Sequence, residues 1–459
     1  MLRTSLAILA GKAARVASRL RGGGSALPGL VAERIDPDVL AHALANVSGG
    51  IVVVTGTNGK TTTTRMLVAI LREHGRRVFT NPTGSNFTRG VISAMLGEIP
   101  LSGRLGADLA VVELDEAHAL RFAQAVPPTH ALLLNVARDQ LDRFAEIDHT
   151  AALLAALAAQ TTMGVVLNRD DAFVARIATT LSVPPGTPSA PTPTGNPGTA
   201  SRPGLLVRYF GLHPSIAHRL PELSEADVRF DEEAEVPPVT DTDALLTLVA
   251  DDRFKVLFGA EGGGNDVGPL RLRQRGLAAM INATAATAMA RLLLGQDFRE
   301  SVAEAALQRL DPPFGRGETI DADGRPLELV LVKNPSGFTV ALATYAATPA
   351  TTMIAINDNY ADGRDVSWLY DVAFDSLRGA GVALTSGVRG YDMALRLAYD
   401  GVRTEEVELD LQVALERLLR DHPGQPLRVF CTYTAMMALR RLLAARYDLA
   451  AFGEEVQRA

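Results

Sequence analysis

The sequence predicts an α/β protein with two parallel-sheet units, on three observations. A β-branched apolar run, "IVVVT" (51–55), breaks into "GTNGKTTTT" (56–64) and then into the helical pattern "RMLVAILREHG" (65–75). Further strand-like runs alternate with helical stretches, and their C-terminal ends are polar. Beyond residue 312 a second alternation of the same kind begins. The expected units are an N-terminal segment (1–49), a central unit (50–312) with a variable insert (181–240), and a C-terminal Rossmann-like α/β unit (313–459).

The composition allows this and excludes several alternatives. A chain of 459 residues, 47% of them apolar, can bury two or three cores. A net charge of −7 argues against a general nucleic-acid binder. The single cysteine, Cys431, permits no intrachain disulfide and no cysteine-based zinc site, and fits a reducing, cytoplasmic location. No apolar run reaches about 18 residues, so no membrane span is expected. Basic residues are almost all arginine. The four lysines are Lys12, Lys60, Lys255 and Lys333, and a lysine retained in such a chain points to use of its compact ammonium.

The elements follow in order. In "MLRTSLAILAGKAARVASRLRGGG", Leu2, Leu6, Leu9, Val16 and Leu20 fall roughly on one helical face, with Arg15 and Arg19 beside it. This reads as a docked surface helix, or alternatively as a helix resting on an anionic membrane surface. "GGGSALPG" (22–29) is a loop. After the first strand come "RRVFT", "ADLAVVELDEA" (107–117), "HALLLNVARDQLDRF" (130–144) and "GVVLNRDD" (164–171). The Pro/Gly/Ser/Thr-rich stretch 182–204 reads as a flexible loop. Residues 205–275 read as short strands, with a solvated acidic patch "FDEEAE" at 230–235. "GLAAMINATAATAMARLLLG" (276–295) is a strong helix. The C-terminal strands are "LELVLV" (327–332), "TTMIAIND" (351–358), "GVALTSG" (381–387) and "LRVFCTYT" (427–434).

The stretch 54–62 places the first chemistry. Backbone N–H groups of a glycine turn at a helix N-terminus hold phosphates. Lys60 would reach the terminal phosphates and the Thr61 hydroxyl would ligate Mg²⁺. The strict pattern wants a glycine five residues before Gly59, where Val54 stands. The short motif is therefore specific only in its setting, after a strand and before a helix.

This shortened loop resembles that of the Mur ligase family, the ATP-dependent amide-forming ligases of peptidoglycan synthesis, and of their folylpolyglutamate synthase relatives. Further matches follow along roughly residues 50–459. "NPTGSNFTRG" (81–90) resembles the family's second loop, and "VVELDEA" (111–117) its metal-binding glutamate strand. "NVARDQLDR" (135–143) resembles its "N…DHLDR" segment, with Gln140 in place of histidine. "GLAAMINATAA" (276–286) resembles the adenine-side helix, and "FGRGE" (314–318) the linker into the C-terminal domain. The resemblance implies ATP and Mg²⁺. It implies ATP contacts at Thr57, Asn58, Gly59, Lys60, Thr61, Thr62, Asn135, Asn282 and Arg316. It implies metal contacts at Thr61, Glu113 and Glu116. Glu116 could instead cap its helix, and Asn135 and Asn282 could be structural caps. Asp139 and Asp142 could be supporting groups or ion-pair partners of Arg143.

Three features narrow the branch. Only about 50 residues precede the phosphate loop, fewer than the usual UDP-sugar-binding domain needs. "LVKNPSGF" (331–338) stands where amino-acid-adding Mur ligases have an Asp-Tyr-Ala-His-type stretch. "INDNYADGRDVSWLYD" (356–371) carries four aspartates and the only tryptophan besides good turn chemistry. Together with "GGGSALPGL" and "TYTAMMALRRLL" (432–443), these resemble the lipid II-amidating branch of the family. That branch amidates the α-carboxyl of D-glutamate in the stem peptide of lipid II. It works with a GatD-like glutaminase partner, as a heterodimer, in the cytoplasm at the inner face of the plasma membrane.

Cys431 lies in an apolar run and reads as a buried strand residue, so the glutaminase chemistry is expected from the partner. In the resembling complexes a synthetase aspartate completes the partner's triad. Asp362 is the first candidate for that catalytic role beside Lys60, Asp365 the second and Asp358 the third. The branch commonly carries a four-cysteine zinc ribbon. Residues 205–230 have no cysteine, and His213 and His218 read as surface residues, so no zinc is expected. Lys255 does not match the setting of the family's carbamylated lysine. Two rival expectations remain: a folylpolyglutamate synthase-like amino-acid ligase, and a nucleotide-binding scaffold subunit.

Overall fold

The computed structural model describes residues 2–20, 26–81, 87–137, 147–181, 204–219, 237–262, 265–312, 315–345, 348–447 and 449. Three helices open the chain: α1 (Leu2–Leu20), α2 (Leu27–Ile35) and α3 (Val39–Leu44). β1 (Ile51–Thr55) then runs into α4 (Lys60–Glu73). The strands that follow are β2 (Val78–Thr80), β3 (Leu109–Glu113), β4 (His130–Leu133) and β5 (Gly164–Asn168). Next come β6 (Leu206–Leu212), β7 (Ala244–Ala250), β8 (Arg253–Phe258) and β9 (Val267–Leu270). They form one sheet in the order β2-β3-β1-β4-β5-β6-β7-β8-β9. Pairing is parallel from β2 to β7, and β8 and β9 continue it antiparallel.

β1 is hydrophobic throughout because both faces of its sheet are covered. Ile51 and Val53 belong to the core shared with the N-terminal helices. Val52 and Val54 belong to the core shared with α4 and the helix Leu277–Leu294. Each such side chain contributes roughly 1.5–3 kcal/mol relative to exposure. Leu277–Leu294 is the one described helix long and apolar enough to cross a membrane, and here it packs as a core helix on α4.

The second sheet comprises β10 (Arg316–Asp321), β11 (Pro326–Leu331), β12 (Thr351–Ala355), β13 (Val382–Ser386), β14 (Thr404–Val407) and β15 (Leu427–Cys431). Its order is β10-β11-β15-β12-β13-β14, parallel except for β10. Two of these strands escape a hydrophobicity reading. β10 ("RGETID") and β14 ("TEEV") are polar edge strands, which suits a sheet margin that must stay in water. The strand read as 427–434 ends at Cys431, because Thr432 starts the helix Tyr433–Ala444.

α1 is docked, but by the face opposite to its leucine stripe. Leu2, Leu6, Leu9 and Val16 are exposed, while Thr4, Ala7, Ile8, Gly11 and Ser18 pack inward. Helix periodicity locates a face but not the side that docks, and close packing at Gly11 selects the small side. Several expectations lie outside the described residues: the loop over 182–203, the acidic patch 230–235, residues 82–86, Phe314, and the segment 138–146 with Asp139, Gln140, Asp142 and Arg143.

Candidate active site at the phosphate loop

The loop sits where β1 ends, between β3 and β4, at the C-terminal edge of the parallel strands. Two glycines have positive φ, and both are pressed by neighbours. A Cβ on Gly56 (φ 129°) would lie 2.9 Å from the backbone of Asn135, and one on Gly59 (φ 87°) only 2.4 Å from Asn282 Oδ1. Asn282 therefore lies directly against the loop, carried there by Leu277–Leu294. Gly59 also occupies the cap position of α4, so the first N–H groups of that helix border the loop.

Asn135 frames the loop through its backbone and side chain. Asn58 N–H donates to Asn135 Oδ1 (2.8 Å), Asn135 Nδ2 to Asn58 O (3.0 Å), and Thr57 N–H to Asn135 O (2.9 Å). The Thr57 hydroxyl accepts from Ala137 N–H (3.0 Å) and donates to Ala137 O (3.2 Å). Lys60 is buried and folded back. Its Nζ donates to Gly56 O (2.6 Å) and Thr57 O (3.3 Å), and lies 3.6 Å from Glu116 Oε1. Thr61 Oγ1 donates to Glu113 Oε1 (2.8 Å). Thr62 is buried in the same turn. Asn81, a residue the sequence did not single out by itself, clamps Glu113. It donates to Glu113 O (2.8 Å) and accepts from Glu113 N–H (2.9 Å).

The second half of the chain completes the site through the segment 331–338. Lys333 Nζ donates to Thr57 O (3.4 Å), Asn334 Nδ2 to Asn58 Oδ1 (3.1 Å), and Asn58 Nδ2 to Ser336 Oγ (3.0 Å). Sequence reasoning missed Lys333 as a site residue. The available signal was its rarity, as one of four lysines.

Charges converge accordingly. Burial pushes the Glu113 carboxyl up, and the Thr61 hydrogen bond and the Lys60, Arg316 and Lys333 cations partly offset this. Burial also acts on Asp115, but His118, Lys60 and Lys333 more than offset it and hold that carboxyl below its ordinary range. Oxygen donors, cations and helix N–H groups thus meet at one strand edge. That arrangement can hold a polyphosphate and a hard cation. Among the described residues no cluster of three His, Cys, Asp or Glu side chains forms a metal cage. The donor set for such a cation is Thr61 with Glu113, which suits one that keeps phosphate and water oxygens.

The three candidate aspartates within 356–371 have different surroundings. Asp362 is buried. It accepts from Thr434 N–H (2.7 Å), the Thr434 hydroxyl and Asn359 N–H (3.2 Å), and so caps the helix Tyr433–Ala444. Burial pushes its carboxyl up, against those hydrogen bonds. Asp358 pairs with Arg389 at 2.7 Å. Asp365 is exposed and accepts from Ser367 N–H at 2.8 Å. Tyr360, Val388, Tyr391, Leu395 and Tyr399 are exposed on and beside the same segment, from the loop to the helix Gly390–Tyr399. Cys431 is fully buried, and burial pushes its thiol up, so it is neither ionised nor reachable as a nucleophile. His213 is engaged with Ser215 (2.7 Å) and Ala260 O (3.1 Å).

Comparison with known proteins gives the family. Residues 54–186 match the Mur ligase middle domain, and residues 331–436 match the MurT ligase C-terminal domain. The chain is 32% identical to the lipid II isoglutaminyl synthase (glutamine-hydrolyzing) subunit MurT of Streptococcus pneumoniae, over 97% of this chain and 98% of that one. The fold resembles MurF of Acinetobacter baumannii, with a TM-score of 0.64 and 17% identity over 91% of this chain and 80% of that one. It also resembles folylpolyglutamate synthase of Mycobacterium tuberculosis, with a TM-score of 0.59 and 15% identity over 89% and 95%. An identity that runs through both sheets and nearly end to end establishes that the chain belongs to the Mur ligase family, in its MurT group.

Proposed function

We propose that the chain is the synthetase subunit of a lipid II isoglutaminyl synthase. It converts the α-carboxyl of D-glutamate in the lipid II stem peptide to the amide, at the expense of ATP. The observation that carries this reading is the closure of the phosphate loop by Lys333 and Asn334. It brings a cation from the C-terminal half onto the glycine loop, against Thr57.

The residues suggest a two-stage reaction. A carboxylate is a poor acyl donor because its leaving group would be oxide. Transfer of the γ-phosphoryl group to a carboxylate oxygen releases ADP and gives an acyl phosphate. Ammonia then attacks the carbonyl carbon, inorganic phosphate leaves, and the nitrogen loses a proton. Lys60, released from the carbonyls of Gly56 and Thr57, would neutralise phosphate charge, with Arg316 and Lys333 beside it. The N–H groups of Gly59, Thr61 and Thr62 would line the phosphate site, Thr57 and Asn58 would shape it through their hydrogen bonds to Asn135, and Asn282 faces the loop. Thr61 and Glu113 would hold Mg²⁺, with Glu116 behind Lys60. When bound, the ion supplies further charge neutralisation on the phosphates.

The nitrogen comes from a GatD-like glutaminase partner, since Cys431 cannot do that chemistry. The exposed Tyr360, Tyr391 and Tyr399 suit a protein interface, where tyrosines are enriched. Of the three aspartates, Asp362 is occupied as a helix cap and Asp358 by Arg389, so Asp365 becomes the leading candidate to orient the partner's histidine. The lipid-linked substrate places the work in the cytoplasm, at the inner face of the plasma membrane.

The test is stem-peptide amidation with ATP and Mg²⁺, by the chain alone and with the glutaminase partner. The expected result is glutamine-dependent amidation only with the partner, and ammonium-dependent amidation without it. Turnover on a free amino acid instead would favour the folylpolyglutamate synthase-like reading. Normal complex activity with Lys60→Ala would favour a scaffold.

A further inference from the structure

Helix α1 carries its large apolar side chains on the side away from the protein. Leu2, Leu6, Leu9, Ala13 and Val16 follow one another at steps of four or three residues, which keeps them on a single face. The face is open to solvent: Leu2 is 92% exposed, Leu6 57%, Leu9 54% and Val16 59%. The inward face holds Thr4, Ala7, Gly11 and Ser18, with Ile8 as its one bulky member. A Cβ on Gly11 would meet a Leu96 methyl at 2.6 Å and Ala32 Cβ at 3.2 Å. Small residues thus dock α1 tightly on α2, and the leucines take no part in docking. Leu101, 49% exposed, adjoins the face, because its carbonyl accepts the Ser5 hydroxyl at 2.9 Å.

Charge selects the occupant. Arg3 flanks the apolar face on one side and Lys12 on the other, and Arg104 is exposed just beyond Leu101. The first 32 residues contain Arg3, Lys12, Arg15, Arg19 and Arg21 and no acid, in a chain of net charge −7. A second copy of α1 would bring like charges together along its flanks, which disfavours self-pairing. A broad apolar face with basic edges fits an interface of hydrocarbon and anionic headgroups.

We infer that α1 is an interfacial helix that seats Leu2, Leu6, Leu9 and Val16 in an anionic lipid surface. The purpose of such seating rests on the proposed lipid-linked substrate, whereas the surface itself does not. Each basic residue near an anionic surface raises partitioning roughly fivefold, and each leucine transferred from water roughly tenfold or more.

The test is flotation of the full-length chain with phosphatidylcholine vesicles containing roughly 30 mol% phosphatidylglycerol, against phosphatidylcholine alone. The wild type should bind the anionic vesicles preferentially and more weakly as salt rises. The double variant L6E/L9E should bind on the order of a hundredfold more weakly. Its melting temperature should be unchanged, since both side chains face outward. V249E, at a 52% exposed position on β7, should bind like wild type. The inference is overturned if the wild type does not float, or if L6E/L9E floats equally well. It is also overturned if the face proves to pair with a second copy or an acidic partner helix, seen as a complex that L6E dissociates without any vesicle binding. Amidation of detergent-dispersed substrate keeps the two readings apart. A wild type that amidates but ignores vesicles loses only the interfacial helix. A wild type that floats but never amidates loses only the proposed function.

Discussion

The two sheets end in crevices at equivalent places, and the chain treats them in opposite ways. At the C-terminal edge of β1 the chain presents backbone donors and cations. Gly56 and Gly59 keep side chains out, and the donors of the first turn of α4 face the loop. At the C-terminal edge of β12 and β15 the chain fills the space with its own polar groups. Asn357 N–H donates to the Thr432 hydroxyl (2.8 Å), Asn357 Nδ2 to Thr434 Oγ1 (3.0 Å), and Val388 N–H to Asn357 Oδ1 (3.0 Å), while Asp362 caps the next helix. The first arrangement suits a phosphate ligand. The second holds a loop rigid, and we propose that its outer side meets the partner. The same α/β architecture therefore does not by itself mark a small-molecule site; what fills the strand ends decides.

The largest effect should come from the open crevice. Lys60→Ala should lower ATP-dependent amidation on the order of 10³-fold with both nitrogen sources, measured by product formation. An effect under about tenfold would remove Lys60 from the phosphate site. Next is the filled crevice. Asp365→Asn should cut glutamine-dependent amidation roughly 10²-fold or more in the complex. It should leave ammonium-dependent amidation intact. Equal losses on both nitrogen sources would erase the proposed division between the two crevices.

Asp362→Ala should act chiefly on stability, by about 2 kcal/mol, because it uncaps a helix and strands the Thr434 N–H. Chemical denaturation would read this. A fully stable variant that loses only glutamine dependence would return the triad role to Asp362.

A further effect, seen only at acid pH, is a pH dependence far from either crevice. Burial pushes His130 down to about 4, so the folded chain holds it neutral. The unfolded chain takes up that proton below about pH 6.5, so stability from this group falls as pH drops from 6.5 to 4. Buried Asp170 and Asp171, pushed up to about 6, act oppositely, since their ionisation penalty grows between pH 3.8 and 6. The His130 contribution must therefore be read as a difference. His130→Phe should flatten the acid limb of melting temperature against pH, by about 3 kcal/mol at most. Parallel curves for wild type and variant would contradict a neutral buried histidine.

How far this was legible depends on whether a feature is local. The phosphate loop was readable because Gly-Lys-Thr between a strand and a helix has one backbone meaning. β1, β3, β4 and β5 were readable because strands buried on both faces are continuously apolar. Lys333 was marked only by its rarity, and its contact was not readable: it meets Thr57 from 276 positions away, through the docking of one sheet unit on the other. The role of Asp362 was hidden for the same reason, since Thr434 lies 72 residues on. The orientation of α1 failed differently. Its periodicity was visible, but the docking side was set by the room at Gly11 rather than by hydrophobicity.

The central claim is that the open crevice activates a carboxylate by phosphorylating it. The most direct measurement uses substrate whose stem-peptide α-carboxyl carries heavy-oxygen label, with ATP, Mg²⁺ and ammonium. Mass analysis of the released inorganic phosphate should find the label transferred from carboxylate to phosphate in step with amide formation. Amide formed while the phosphate stays unlabelled would contradict the account.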